Sequence, residues 1–314
     1  MLIQIAFLVL GFVLLIQGAN WLVDGASSLA KKFNISDLAI GLTVVAFGTS
    51  APEMVVNVFA SAQNHQDIVL GNIIGSNFFN LFAILGLTGV LYPLTVKSNT
   101  VWKEIPFSLL AVIVLFFVSN DFVGIKNIIT RWDALIMLSF FGLFLFYVYK
   151  QLKQDKLSFD PAQSSLSNVK IWIFIIIGLA GLVIGGKLVV NSGIYIAKLQ
   201  GLSEKVIGLT IIAAGTSLPE LVTSVVAVIK KNNDIAVGNV IGSNIFNIFL
   251  ILPVSTLIKP IHYKLTFNTD LYVLFLGTLF LFIAMFTGKK KKLDRWEAGL
   301  LLVTFIAYTV VLIV

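Results

Sequence analysis

Gly48-Thr49-Ser50-Ala51-Pro52-Glu53 recurs as Gly215-Thr216-Ser217-Leu218-Pro219-Glu220, and both runs interrupt long apolar stretches. Proline has no N–H and clashes with the turn before it. Pro52 and Pro219 are therefore expected to kink their helices and to release carbonyls over 46–50 and 213–217. Each run is followed by a second small and polar one: Gly71-Asn72 with Gly75-Ser76-Asn77, and Gly238-Asn239 with Gly242-Ser243-Asn244. The segment 41–80 aligns without gaps on 208–247 at a constant offset of 167, with 22 of 40 positions identical. This is an internal duplication, and it extends back to Gly18 on Gly185.

The surrounding sequence is that of a membrane protein. Of 314 residues 58% are hydrophobic and only 12% charged. Runs of about 20 apolar residues, the length a helix needs to cross the hydrocarbon core, recur along the chain. Ten spans are expected near 2–23, 36–61, 68–94, 101–119, 130–149, 169–197, 204–229, 234–258, 267–287 and 296–314. The fold class is an all-α polytopic membrane protein. Five spans fall in each copy, giving a first repeat over 1–149, a polar linker over 150–168 and a second repeat over 169–314. An odd number of spans per copy inverts the second relative to the first, so the expectation is two inverted five-helix repeats. The first apolar run lacks a preceding basic residue and a clear cleavage site and contains Asn20 and Asp24, so it reads as a span rather than a signal peptide.

The net charge of +7 resides in short connections. Connections 1–2, 3–4, 5–6, 7–8 and 9–10 hold fifteen Lys and Arg residues against six on the opposite side. The positive-inside rule then makes the first group cytoplasmic and both termini extracytoplasmic, in the cell (inner) membrane. No soluble basic face suited to nucleic acid is left, and the partners expected are the lipid bilayer and small cations, with no obligate protein partner. Cysteine is absent, which excludes disulfides, thiolate metal sites and cysteine nucleophiles.

The chemistry centres on Glu53 and Glu220. A carboxylate at membrane depth costs at least a few kcal/mol and requires a partner. Lys187 is the one basic residue deep in a span, and its counterpart in the first copy is Asn20. A symmetric pair of acids without a symmetric pair of bases suggests a mobile cation between them. Around them lie the hydroxyls of Thr49, Ser50, Thr216 and Ser217 and the amides of Asn80 and Asn247, hard oxygen donors suited to Na⁺ and Ca²⁺. Ser76 and Asn80 are four residues apart, as are Ser243 and Asn247, so each pair shares a helix face. Two carboxylates balance one Ca²⁺ or two Na⁺, which gives exchange of one for the other a physical basis.

The two GTS-x-PE runs, each followed by GN-x-x-GSN, resemble the paired alpha-repeats of the Ca²⁺:cation antiporter superfamily, and specifically prokaryotic members of the sodium/calcium exchanger family. The resemblance covers the whole chain. It implies Na⁺/Ca²⁺ antiport by alternating access, with Glu53 and Glu220 as Ca²⁺ ligands helped by the backbone oxygens of Thr49 and Thr216. It further implies Na⁺ sites formed by those glutamates with Ser50, Ser217, Ser76, Ser243 and the carbonyls of Ala46 and Ala213. Asn80 matches a family asparagine at the centre of the site. Asn247 departs from the aspartate of well-studied archaeal and animal exchangers, leaving two acids rather than three. The large cytoplasmic regulatory domain of animal exchangers is not expected here.

Other readings remain open at this level. Ca²⁺/H⁺ or Na⁺/H⁺ antiport would use the same glutamates as proton carriers. A channel would use the same oxygens as a filter, but one pseudo-twofold site in one chain is no pore ring. An enzyme is disfavoured: no cofactor is implied, both histidines fall in loops, and no HExxH motif exists. The glycines also suit helix packing, and the Ser and Thr hydroxyls suit back-bonds to their own helices. Asp24, Asp67 and Asp234 fall near span ends and read as caps or solvated charges, and Lys289 to Lys292 as an anchor.

Overall fold

The computed structural model describes residues 2–120, 127–158, 166–199, 213–288 and 291–313. Helix α1 is Leu2–Phe33, α2 Asp37–Thr49, α3 Ala51–Ala62, α4 Gln66–Leu91, α5 Thr100–Asn120 and α6 Arg131–Ser158. In the second half α7 is Asn168–Leu199, α8 Ala213–Thr216, α9 Leu218–Ile229, α10 Asn233–Ile258, α11 Leu265–Ala284 and α12 Arg295–Ile313. Seven of the described helices are long and apolar enough to cross a membrane, or eight when the bent pair α2–α3 is one span. The expected span 204–229 is described only from residue 213 onward, and Lys126, Lys156, Lys198, Lys205, Lys289 and Lys290 fall wholly or in their side chains outside the description.

Two expected boundaries are corrected. Helix α1 continues ten residues beyond the expected end at 23, carrying Asp24, Lys31 and Lys32. Its polar last turns need no bilayer, and Ala26, Leu29 and Ala30 still bury an apolar stripe there. Helix α6 runs through residue 149 to Ser158, so the beginning of the linker is helical.

Outward faces are apolar, as a lipid solvent requires: Leu2, Val9, Val13, Leu143, Ile176 and Val303 are all exposed. Trp102, Trp132, Trp172 and Trp296 are exposed near helix ends, where an indole suits the headgroup boundary. The inward faces use small residues. Helices α1 and α7 lie along one another so closely that a Cβ on Gly18 would stand 2.8 Å from the Gly178 carbonyl oxygen, and one on Gly178 2.7 Å from the Leu22 nitrogen.

Two short ribbons cap the ends. Strand β1 (Leu94–Thr95) pairs antiparallel with β4 (Lys292–Leu293), Leu94 opposite Leu293. Strand β2 (Ile128–Ile129) pairs with β3 (Ile261–His262), Ile129 opposite Ile261. Helix α5 separates β1 from β2, so the two ribbons lie at opposite ends of it. The β1 end also holds the Lys97–Asp234 ion pair (2.6 Å), and the β3 end holds Lys264–Asp67 (2.6 Å). These two pairs are images of one another under the 167-residue offset. Asp24 pairs with Lys230 (2.7 Å), so all three peripheral aspartates meet lysines near the helix ends.

Candidate ion-binding site

The expected proline break is present, one residue before the proline-containing helix turn. Helices α2 and α3 meet at 46° around Ser50, whose φ of −82° and ψ of 4° lie off the helix. Ser217 repeats this with φ −94° and ψ 9° before α9. Pro52 and Pro219 occupy the first turn of α3 and α9, where a missing N–H costs nothing. Of the carbonyls expected to be released over 46–50, that of Ala46 is taken by the Ser50 N–H at 3.0 Å and that of Ser50 by the Met54 N–H at 3.1 Å. Proline removes the donor four residues ahead of Gly48, so the freed carbonyl lies there rather than at Ala46. The Ala46 carbonyl has a second donor within reach, the Thr49 hydroxyl at 3.3 Å.

The break aims both carboxylates inward. Glu53 and Glu220 sit in the first turns of α3 and α9 and are 1% and 0% exposed. Ser50 Oγ donates to Glu220 Oε1 at 2.9 Å, and Ser217 Oγ to Glu53 Oε1 at 3.1 Å. Each hydroxyl therefore serves the other copy's carboxylate. Ser243 Oγ stands 3.0 Å from Ser50 Oγ and joins the same cluster. Thr49 Oγ1 bonds Asn239 Oδ1 at 3.0 Å, and Ser76 Oγ bonds Asn72 Oδ1 at 3.0 Å. Thr216 is in α8 beside them, and Ala213 begins that helix.

The asparagines cross in the same way. Asn80 Nδ2 donates to Asn244 Oδ1 (3.0 Å), and Asn247 Nδ2 donates to Asn77 Oδ1 (3.2 Å). Asn80 and Asn247 both lie where α4 and α10 widen into a π-helical turn, over Phe79–Ile84 and Asn247–Ile251. Such turns interrupt the regular ladder and are frequent at functional sites. Asn77, Asn244, Asn239 and Asn57 were not among the expected site residues. The first three stand in the repeated GN-x-x-GSN runs, and Asn57 has polar Ser224 as its image. Asn57 Nδ2 bonds the Glu53 carbonyl at 2.7 Å, while Asn239 Nδ2 reaches both the Glu220 carbonyl at 3.2 Å and Ser224 Oγ at 3.0 Å.

Besides Asn57 Oδ1 and the amide donor Asn77 Nδ2, four acceptor oxygens in this cluster are buried without a hydrogen-bond partner: Glu53 Oε2, Glu220 Oε2, Asn80 Oδ1 and Asn247 Oδ1. They form two repeat-related pairs. An orphaned buried acceptor costs about 1–3 kcal/mol, more when charged, so four together mark a place built for something electropositive. Among the described residues no group of three or more His, Cys, Asp or Glu side chains exists, so neutral oxygens must complete any coordination. A cavity of about 460 Å³ abuts the cluster, lined by Pro52, Pro219 and Thr216 together with Lys187 and Asn191 of α7.

A family model described as "Sodium/calcium exchanger protein" matches residues 3–150 and 170–314. The chain belongs to the sodium/calcium exchanger family. "Sodium/calcium exchanger MaX1" of Methanosarcina acetivorans is 33% identical, over 99% of this chain and 98% of its own. "Inner membrane protein YrbG" of Escherichia coli is 37% identical, over 83% and 81% respectively. The solved exchanger NCX_Mj, soaked without Na⁺ and Ca²⁺, superposes with a TM-score of 0.83 at 33% identity, covering 99% of both chains. Membership makes this a multi-pass transmembrane cation/Ca²⁺ antiporter and places it among transporters rather than enzymes.

Proposed function

We propose that this chain exchanges Na⁺ for Ca²⁺ across the cell membrane by alternating access, at one site shared between its two copies. The observation that carries the reading is the set of four orphaned oxygens on Glu53, Glu220, Asn80 and Asn247. The hydroxyls of Ser50, Ser217, Ser76 and Ser243, and the backbone oxygens of Thr49, Thr216, Ala46 and Ala213, complete the proposed ligand set. Two carboxylates hold one Ca²⁺ or two Na⁺ with charge balanced, so each ion displaces the other. The names of MaX1 and NCX_Mj point the same way.

The proposed architecture is ten spans in two inverted repeats, over 1–149 and 169–314, joined by a cytoplasmic linker over 150–168. The ribbons support it: β1 and β3 are repeat images, 167 residues apart, yet they lie at opposite ends of α5. The Lys97–Asp234 and Lys264–Asp67 pairs divide between the two faces in the same way. Lysine abundance puts the β1 face in the cytoplasm and both termini outside, and the name of YrbG favours an inner membrane.

The test is ⁴⁵Ca²⁺ uptake into proteoliposomes under an outward Na⁺ gradient and, separately, an outward H⁺ gradient, for the wild type and Glu220→Gln. Na⁺-driven uptake that Glu220→Gln abolishes is the expected result. Uptake driven by H⁺ alone overturns Na⁺ coupling in favour of a proton on the Glu53 and Glu220 oxygens.

A further inference from the structure

The two mouths of the shared site are related by the repeat, but they are not equally closed or equally charged. Helix α1 packs against α9, whereas α7 makes no comparable contact with α3, its repeat-related partner. The cavity of about 460 Å³ fills that second place. Val23 and Ala19 on the α1 side are 1% and 0% exposed, while their images Val190 and Gly186 line the cavity. The α1 mouth has a polar cavity of its own, about 490 Å³ and lined by Val23, Asp24, Lys230 and Asp234, but among the described residues it stops short of the prolines, whereas the α7 cavity reaches Pro52 and Pro219; the structure is therefore shut above the site at the α1 mouth and open to it at the α7 mouth.

The side chains differ too. At the α1 mouth Asp24 is neutralised by Lys230, whose ammonium also reaches the Asn20 carbonyl at 3.1 Å. The images of Asp24, Lys230 and Asn20 are Asn191, Gln63 and Lys187. The ion pair of one side thus has two neutral amides as its images on the other, and of these Asn191 lines the cavity with Lys187. Lys187 is exposed, lines the cavity, and has no acidic partner among the described residues. An ammonium at membrane depth is stable when it faces a water-filled cavity, and this one stands beside the residues that flank both glutamates.

We propose that Lys187 is a selectivity-determining residue: a fixed positive charge in the open mouth that disfavours Ca²⁺ relative to Na⁺ on that side of the membrane alone. This rests on the exchanger reading. Repulsion energy is proportional to the charge of the passing ion, so whatever factor Lys187 imposes on Na⁺ it imposes squared on Ca²⁺. A sphere of the cavity's volume is about 10 Å across. Over that distance, at the dielectric constant of water, one charge shifts Na⁺ affinity about two- to fourfold at low ionic strength, and Ca²⁺ affinity about four- to sixteenfold.

The experiment is flux against Na⁺ and against Ca²⁺ concentration in oriented proteoliposomes, with ions supplied at the α7 face and then at the α1 face. Lys187→Gln lowers half-saturation for both ions at the α7 face, the fold-change for Ca²⁺ being the square of that for Na⁺. Both shifts shrink with added choline chloride. Lys187→Arg retains the wild-type values, and Asn191→Lys moves both constants the opposite way, which keeps the idea testable should the glutamine variant fail to fold. Equal fold-changes for the two ions, a change in maximal rate alone, or the same shift at both faces overturns the proposal. Wild-type protein without cation-driven Ca²⁺ flux overturns the exchanger reading beneath it, whereas a wild-type flux indifferent to Lys187→Gln overturns only this inference.

Discussion

The Ser50 hydroxyl bonds the Glu220 carboxylate at 2.9 Å, across an interval of 170 residues, and its repeat image joins Ser217 to Glu53 at 3.1 Å. Each such bond holds one carboxylate oxygen and leaves the other without a partner. The hydroxyl fixes the direction in which the free oxygen points, and a hydrogen bond to a charged group contributes about 1.5–3 kcal/mol. Ser50→Ala is expected to weaken Ca²⁺ half-saturation by roughly tenfold or more. The Ser50→Ala/Ser217→Ala double variant should depart from additivity, because both hydroxyls orient the same pair of acids. Isothermal titration in detergent of Ser50→Ala, Ser217→Ala and the double variant measures both effects.

Asn247 invites a gain rather than a loss. It is fully buried, donates to Asn77 and keeps a free Oδ1. Asn247→Asp adds a third carboxylate, enough to balance three Na⁺, so the Hill coefficient for Na⁺-driven Ca²⁺ flux should rise toward three. The cost is a carboxylate facing Asn77 Oδ1, which an amide flip of Asn77 relieves by presenting its Nδ2.

The shut mouth is held partly by Asp24 and Lys230, whose side chains are 49% and 28% exposed. An exposed pair contributes about 0.2–1 kcal/mol after screening, so Asp24→Asn should raise the population open at the α1 face by about 1.4-fold to fivefold. The chain has no cysteine, so a single introduced one reports without background. Val190→Cys should react with a hydrophilic maleimide in the wild type and Val23→Cys should not. Adding Asp24→Asn should raise the Val23→Cys rate.

Close approach of α1 and α7 predicts a stability defect. The atoms that would meet a Cβ on Gly178 are the Leu22 nitrogen and the Gly18 carbonyl oxygen, both backbone, so neither yields by rotating a side chain. Gly178→Ala is expected to cost about 1–3 kcal/mol and to lower the temperature at which the detergent-solubilised protein loses its monodisperse peak. Gly142→Ala, with no atom within 4 Å of the added carbon, should leave that temperature unchanged or raise it.

Membrane character, the duplication and the glutamate pair were all legible in the sequence, because apolar runs and a repeated proline–glutamate motif are local signals. The end of α1 was not. Asp24, Lys31 and Lys32 look like a loop by hydropathy, but a helix whose inner stripe stays apolar continues past the bilayer. Which carbonyl within 46–50 is freed was not legible, since it depends on which turn the proline begins rather than on its presence. Asn77 and Asn244 were visible as identities but not as site residues, because only the packed helices show that they face Asn247 and Asn80. The inequality of the two mouths is beyond any reading of the repeat: copies with the same motifs sit in different surroundings, and Val23 and Val190 differ in burial, not in kind.

The crossing of hydroxyl and carboxylate has a consequence for heredity. A gene encoding one copy alone would make a polypeptide whose serine and glutamate cannot meet each other, and whose oxygens become complete only on encounter with a second molecule. Carrying both copies in one polypeptide turns that encounter from a concentration-dependent event into a property of a single chain. Two copies in one chain can also differ one residue at a time, and a lysine opposite an asparagine is a difference that two identical molecules can never possess.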